Sequence, residues 1–165
     1  MFAWEPILEP ELTSIWNDFK RDFEFRPSTH ERDFPGIDEP TPSITYRLKE
    51  FGSMDPDLAN AWALDVMKAC QPQGTKIIAL DWQHFCWWLD VHLPDAIEDW
   101  ERRIPLLPNG DYSIFLSREL NSGMFGHPWE RSLCIFGGPF LEAIRRNPPG
   151  FVEGILRENG RALKG

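Results

Sequence analysis

LDWQHFCWWLD, residues 80–90, is the stretch that decides the fold. Apolar residues flank a polar turn at 81–84, which predicts two paired strands with a short connection. Trp87 and Trp88 point to opposite faces of the second strand, so only one of them is simple core. Aromatic rings bury a large apolar area, and titratable groups among them shift their pKa values. The stretch therefore predicts either a core hairpin with a polar tip or the floor of a ligand pocket.

The length and charge of the chain narrow its class. The 165 residues suit one domain, 1–165, with a frayed tail over 160–165. With 17 basic and 26 acidic residues the formal charge is −9, which disfavours nucleic-acid binding because phosphates are repelled. The same charge would suit a basic partner protein, or serve solubility alone.

The cysteine pattern and the N-terminus bear on location. Cys70, Cys86 and Cys134 show no paired spacing and lie among apolar neighbours, which is typical of reduced thiols in a cytoplasmic protein. The N-terminal residues 1–12 contain no basic region or cleavage site typical of a signal peptide. No apolar run has the length of a membrane span.

Hydrophobic periodicity predicts an α+β fold. Helices are expected over 10–22, 56–70 and 139–147, with a short last helix over 151–156. Strands are expected over 43–48, 76–81, 85–90, 112–116, 123–126 and 132–136. The run of strands between helices predicts a two-layer domain. Its mostly antiparallel sheet would have five or six strands, with the helices packed on one face.

Five sequence blocks carry a family resemblance. They are FEFRPS (23–28), EPTPSITY (39–46), ALDWQHFCWWLD (79–90), NGDYSIFL (109–116) and FGHPWERSLCIFG (125–137). In this order they resemble the signature blocks of a bacterial family that is known as a domain of unknown function and is common in actinobacteria. The resemblance implies a small, single-domain, cytosolic bacterial protein. It implies no activity, fold or catalytic residue.

Two histidines in aromatic-rich turns are the main catalytic candidates. His84 and His127 can each act as general acid or base near neutral pH. Asp81 or Glu130 could orient the imidazole or serve as the second acid–base group. The alternative is that each histidine donates to a backbone carbonyl and rigidifies its turn.

Residues of the same blocks are candidates for substrate binding. Arg26 could hold a substrate carboxylate or phosphate, or form an ion pair with Glu39 or Glu130. The Pro-rich passage after Arg26, up to Pro42, is expected to be an ordered loop that roofs the site. The other candidates for the pocket wall are Glu39, Tyr46, Trp82, Gln83 and Trp129.

No cofactor or metal is expected. The donors around Asp81 and His84 lack HxH, HExxH or CxxC spacing. Cys86 and Cys134 lie within apolar strands, as core thiols do, and no GxSxG motif occurs.

Two functions follow from these patterns. The first is a small-molecule-binding domain or acid–base enzyme with an aromatic-walled pocket between the turns at 82–84 and 126–130. The second is a non-enzymatic acidic protein of the immunity or antitoxin type, with acidic stretches at 5–11 and 95–101 that would cover a basic partner. The oligomeric state and the substrate are not defined by these patterns.

Overall fold

A single antiparallel sheet runs through the computed structural model, which describes residues 1–164. Its nine strands lie in the order β1-β4-β3-β5-β6-β7-β2-β8-β9, and every neighbouring pair is antiparallel. The strands are β1 Trp4–Pro6, β2 Ser43–Leu48, β3 Ile77–Asp81, β4 Trp87–Leu89, β5 Ser113–Leu116, β6 Gly123–His127, β7 Ser132–Phe136, β8 Val152–Glu158 and β9 Arg161–Ala162. The α+β class is confirmed, but the expected five or six strands are too few.

Helices cover both faces of this sheet, so the expected two-layer arrangement with helices on one face is wrong. The helices are α1 Glu11–Phe23, α2 Pro56–Cys70, α3 Trp100–Arg103 and α4 Gly138–Arg146. On one face, α1 buries Phe19 and Phe23 against Leu80, Phe125 and other strand residues. On the opposite face, α2, α3 and α4 pack in a second core. We call these the α1 face and the α2 face.

Local sequence signals explain where the helices begin. Asp55 accepts a hydrogen bond from the Asp57 N–H (2.9 Å), and Pro56 occupies the first turn of α2, where its missing N–H is harmless. The helix α1 buries Ile15, Phe19 and Phe23 along one stripe.

The C-terminal segment departs from expectation. Residues 152–158 form β8 instead of a short helix, and β8 pairs with β2. Arg161–Ala162 form β9 and pair with β8, in the region expected to be a frayed tail. Gly165, the last residue of that expected tail, lies outside the described residues.

Among residues 1–164, no helix has the length and apolar character needed to cross a membrane.

Candidate functional site

The ends of three strands place the candidate turns along one edge of the sheet. Asp81 at the end of β3 lies opposite Ser113 at the start of β5, and Ser113 lies opposite Gly126 near the end of β6. The turn at 82–84 and the turn at 128–131 therefore leave the same edge of the sheet, with Tyr112 between them.

Asp81 organises the first turn. Its carboxylate is nearly buried, and its Oδ1 accepts hydrogen bonds from the backbone N–H groups of Gln83 (2.9 Å) and His84 (3.1 Å). An aspartate that accepts from residues two and three positions later stabilises a tight turn. The His84 ring, itself largely exposed, is held with its Nδ1 3.1 Å from the same Asp81 oxygen.

A second carboxyl group completes this cluster. Asp111 Oδ2 lies 3.5 Å from His84 Nδ1, and Asp111 Oδ1 accepts the backbone N–H of Tyr112 (2.7 Å). One ligand atom from each of Asp81, His84 and Asp111 lies within 4.8 Å of the other two. We call these three residues the Asp–His–Asp cluster. This donor set could also hold a metal ion.

The pKa values of the two carboxyl groups in the cluster are shifted in opposite directions. Burial and the hydrogen bond with Asp81 raise the pKa of Asp111 to about 6. Burial opposes ionisation of Asp81, but hydrogen bonds with Asp111 and the Gln83 backbone outweigh it and lower the pKa of Asp81. The hydrogen bond to Asp81 raises the pKa of His84. Two neighbouring carboxyl groups that cannot both ionise easily share one proton.

A cavity of about 340 Å³ opens beside the cluster. Its walls include all three cluster residues, the aromatic rings of Phe85 and Trp87, and the side chain of Arg103 at the end of α3. The Phe85 and Trp87 rings meet edge to face, with their centroids 6.4 Å apart. The volume is near the lower end for small-molecule sites, about 300–1,000 Å³.

His127 lies on the α1 face and is completely buried. Its ring contacts Tyr112 and Phe34, with centroid distances of 4.9 and 4.6 Å. Its Nδ1 accepts the backbone N–H of Glu130 (3.1 Å), so the neutral ring carries its proton on Nε2. Burial lowers the pKa of His127 to about 4. His127 is therefore a neutral residue of the core and does not line the cavity.

Glu39 and Glu130 share one partner, Arg157 of β8. The Arg157 guanidinium donates to Glu39 (2.7 and 3.3 Å) and to Glu130 (2.9 and 2.6 Å). Thr45 adds a hydrogen bond to Glu39, and Ser132 adds one to Glu130. Burial opposes ionisation of Glu130, but the Arg157 hydrogen bonds outweigh it and lower the pKa of Glu130. We call Glu39, Arg157 and Glu130 the buried ion triad.

The other predicted binding residues are dispersed. Arg26 is exposed and pairs with Asp38 (3.1 Å). Tyr46 packs on the α2 face, but on β2, four strands away from β3. Neither residue lines the cavity.

Aromatic residues of both turns meet on Tyr112. The rings of Trp82 and Trp129 contact Tyr112 at centroid distances of 5.9 and 5.6 Å, whereas Gln83 is exposed. The Pro-rich segment contacts Tyr112 on the α1 face, since the Ser28 N–H donates to the Tyr112 hydroxyl (2.9 Å). The two predicted turns are thus neighbours, but only Asp81 and His84 of the proposed catalytic residues line the cavity.

Sequence reasoning missed three residues that the structure makes important. Asp111 directly follows the Asn109-Gly110 turn and precedes an apolar strand, which is the signal that could have identified it. Arg103 and Arg157 carry no local signal, because their partners are far away in the sequence.

The fold and the site define a class: a nine-stranded antiparallel sheet protein with a carboxylate–histidine cluster at one edge. Residues 6–141 match a family model described as "Protein of unknown function (DUF2716)", and the chain belongs to this family. It is also similar to the uncharacterized protein YxiI of Bacillus subtilis (strain 168), with 27% identity over 164 residues, covering 90% of this chain and 96% of that protein. No solved structure matches the chain.

Proposed function

We propose that the chain is a small-molecule enzyme that transfers a proton within the cavity at the Asp–His–Asp cluster. The observation that carries the proposal is the placement of two coupled carboxyl groups and a histidine in the wall of a 340 Å³ cavity. Paired titratable groups whose environments push their pKa values apart are typical of acid–base sites.

Each member of the cluster has a distinct role in this proposal. Asp111, with a pKa of about 6, can give and take a proton near neutral pH. Asp81 stays ionised beside the protonated Asp111 and orients the His84 ring through the 3.1 Å contact. His84, exposed at the cavity, serves as the second proton donor. His127 and Glu130 become residues that stabilise the neighbouring turn.

The chemistry needs no organic cofactor, because the cluster supplies both a donor and an acceptor. A metal ion bound by the same donors would replace the shared proton and abolish this chemistry. The proposal therefore expects activity to survive treatment with a chelator.

The test is a turnover screen with matched variants. Purified protein is incubated with pools of small metabolites in the presence of EDTA, and products are measured by mass spectrometry. We expect turnover with the wild type and with Asp38→Asn, an exposed aspartate outside the cavity, and at least ~100-fold less with Asp111→Asn. Equal turnover by Asp111→Asn and the wild type would refute the assigned role.

A second candidate is the acidic interaction protein. The observation that favours it is that Ile97, Glu98, Asp99 and Glu101 are all exposed, within the acidic stretch at 95–101. Such a surface fits a basic partner protein, in the cytoplasm and without nucleic acid or membrane. A complex with a basic protein that dissociates as salt is raised, and that Glu98→Lys abolishes, would support this candidate.

A further inference from the structure

We propose that the cavity takes a small carboxylic acid with an aromatic or apolar body, and that Arg103 binds its carboxylate. This inference rests on the proposed function, because it treats the same cavity as the substrate site. It deepens that function by naming the class of substrate.

Arg103 is a cation that lines the cavity and, among the described residues, has no carboxylate partner. Its guanidinium carbon lies 4.3 Å from the centre of the Trp87 ring. Among residues 1–164, no carboxylate oxygen lies within 4.0 Å of this guanidinium, and its buried Nε has no hydrogen-bond acceptor. Neighbouring Arg102 is different, because it is exposed and pairs with Asp99. An unpaired buried donor is costly for the fold. Because the Nε is buried, a ligand in the cavity would accept from the terminal Nη groups of Arg103.

The position of Arg103 over Trp87 bears on the geometry of recognition. The guanidinium carbon lies 4.3 Å from the ring centre, a cation–π distance, and the guanidinium itself presents a planar fork of N–H donors. A carboxylate matches such a fork with two parallel hydrogen bonds. The group that binds Arg103 is therefore expected to be a planar anion that approaches along the edge of the guanidinium.

The charges of the cavity wall favour a carboxylate over a phosphate. Asp81, Asp111 and Glu101 also line the cavity. So do His84 and Arg102, but they are paired with Asp81 and Asp99. These acidic groups repel a dianion about twice as strongly as a monoanion, since the Coulomb energy scales with the charge. One unpaired arginine can neutralise a single carboxylate, but it leaves a phosphate dianion with an unbalanced charge.

The aromatic wall accounts for the rest of the ligand. Phe85 is 77% exposed although it lines the cavity beside Trp87. A large apolar side chain left open at a cavity is typical of a surface that a ligand covers. With about 340 Å³ available, the cavity suits a body of roughly one ring.

Arg103 replaces Arg26 as the residue proposed to bind the anionic group of the substrate. Arg26 was the expected anchor, but it is exposed, pairs with Asp38 and lies outside the cavity. Arg103 has the position in the cavity wall that Arg26 lacks.

Benzoate is the probe for the experiment, and benzamide is its neutral control. Chemical-shift changes of the protein are followed by NMR as each compound is titrated into the wild type, Arg103→Gln and Arg145→Gln. Arg145 is exposed, pairs with Glu142 and lies outside the cavity. We expect benzoate to bind the wild type and Arg145→Gln alike, and Arg103→Gln at least ~10-fold more weakly. Benzamide and phenyl phosphate should both bind the wild type more weakly than benzoate.

Several outcomes would overturn the inference. These are no benzoate binding to the wild type, tighter binding of phenyl phosphate than of benzoate, and equal benzoate affinity of Arg103→Gln and the wild type. Arg103→Lys keeps the charge but lacks the planar fork, so it should bind benzoate more weakly than the wild type even if Arg103→Gln fails to fold. Equal affinity of the lysine variant would also contradict the recognition mode.

Failure here and failure of the proposed function give different results. If benzoate does not bind but Asp111→Asn abolishes turnover of another compound, the substrate class is wrong and the acid–base site stands. If benzoate binds through Arg103 but Asp111→Asn changes no turnover, the anion site stands and the catalytic role is lost.

Discussion

Replacing Arg157 by methionine should strongly destabilise the protein, because Arg157 neutralises two buried carboxylates. The side chain of Glu39 is 1% exposed and that of Glu130 is 9% exposed. Arg157 donates to both of them at distances of 2.6–3.3 Å. Methionine has a similar length but no charge, so both carboxylates would remain buried without a counter-ion.

The expected loss at pH 7 is about 3–5 kcal/mol, the usual cost of removing one partner from a buried ion pair. This is a large part of a typical unfolding free energy of about 5–15 kcal/mol. Arg145→Met is the matched control, since Arg145 is exposed and pairs with Glu142 at 3.1 Å. An exposed pair of this kind contributes about 0–1 kcal/mol.

The loss should depend on pH in a defined direction. Interaction with Arg157 lowers the pKa of Glu130 in the folded state. The stability that this interaction provides is therefore complete above about pH 4.5, the pKa of Glu130 in the unfolded chain. It is lost as the pH falls through the lower pKa of Glu130 in the folded protein. In Arg157→Met, protonation of Glu39 and Glu130 at low pH removes the cost of burying their unpaired charges. The difference between the wild type and the variant should narrow from pH 7 to pH 4.

Urea unfolding followed by tryptophan fluorescence at pH 7 and pH 4 measures these free energies. If Arg157→Met costs no more than Arg145→Met at pH 7, the buried ion triad is not a major stabilising element. A difference between the wild type and Arg157→Met that stays constant with pH would contradict the electrostatic origin.

Two further predictions concern the cluster and the roof of His127. Asp111→Asn should raise the melting temperature above pH 6 and have little effect below pH 4. The pKa of Asp111 is 3.8 in the unfolded chain and about 6 in the folded protein, so ionisation of this side chain costs stability as the pH rises between these two values. A melting temperature that is lowered at pH 8 would argue against this. Gly36→Ala should destabilise the protein by about 1–3 kcal/mol more than Gly74→Ala. Both glycines have positive φ (82° and 84°), but only a Cβ at Gly36 would meet the His127 ring, at 3.1 Å. Equal losses of unfolding free energy, measured by urea unfolding, would show that the His127 ring can move to make room for the added methyl group.

Local signals predicted the elements that make local contacts. The helix α2 was expected over 56–70 and runs from Pro56 to Cys70, because a cap, a proline at the start and an apolar stripe agree. The strands β2 and β7 were also placed correctly, since β2 alternates in the sequence and β7 is a short apolar run before a Gly-Gly turn.

The strand β8 was mistaken for a helix because bulges change its periodicity. In the pairing with β2, residues 153 and 156 have no opposite partner, so the register shifts twice. Val152 and Ile155 lie opposite Leu48 and Tyr46, so they are on the same side of the sheet although they are three residues apart, which imitates helical spacing. Bulges are set by the neighbouring strand, and a single sequence does not reveal them.

The candidate site was half predictable for a related reason. The pocket was expected between the turns at 82–84 and 126–130, and Trp82 and Trp129 of these turns both contact Tyr112. The pairing register, however, puts Asp81 opposite Ser113, and Ser113 opposite Gly126, so that Asp81 and Gly126 face the same side of the sheet. His127, one residue further, faces the other side. Which side a residue faces relative to a distant strand depends on that register.

The two outermost strands have a consequence for how the protein behaves at high concentration. A sheet that ends in a long, regular strand offers free backbone groups on which another molecule can polymerise. Here one border is β1, three residues long and containing Pro6, which has no N–H to donate. The other border consists of β9, two residues long and carrying the positive charge of Arg161, and of residues 152–156 of β8, which β9 does not cover. The pairing of β8 with β2 contains two register shifts, and such bulges discourage a further strand from pairing. Both borders thus discourage growth of the sheet from molecule to molecule, so this β-rich chain should resist fibril formation as long as it stays folded.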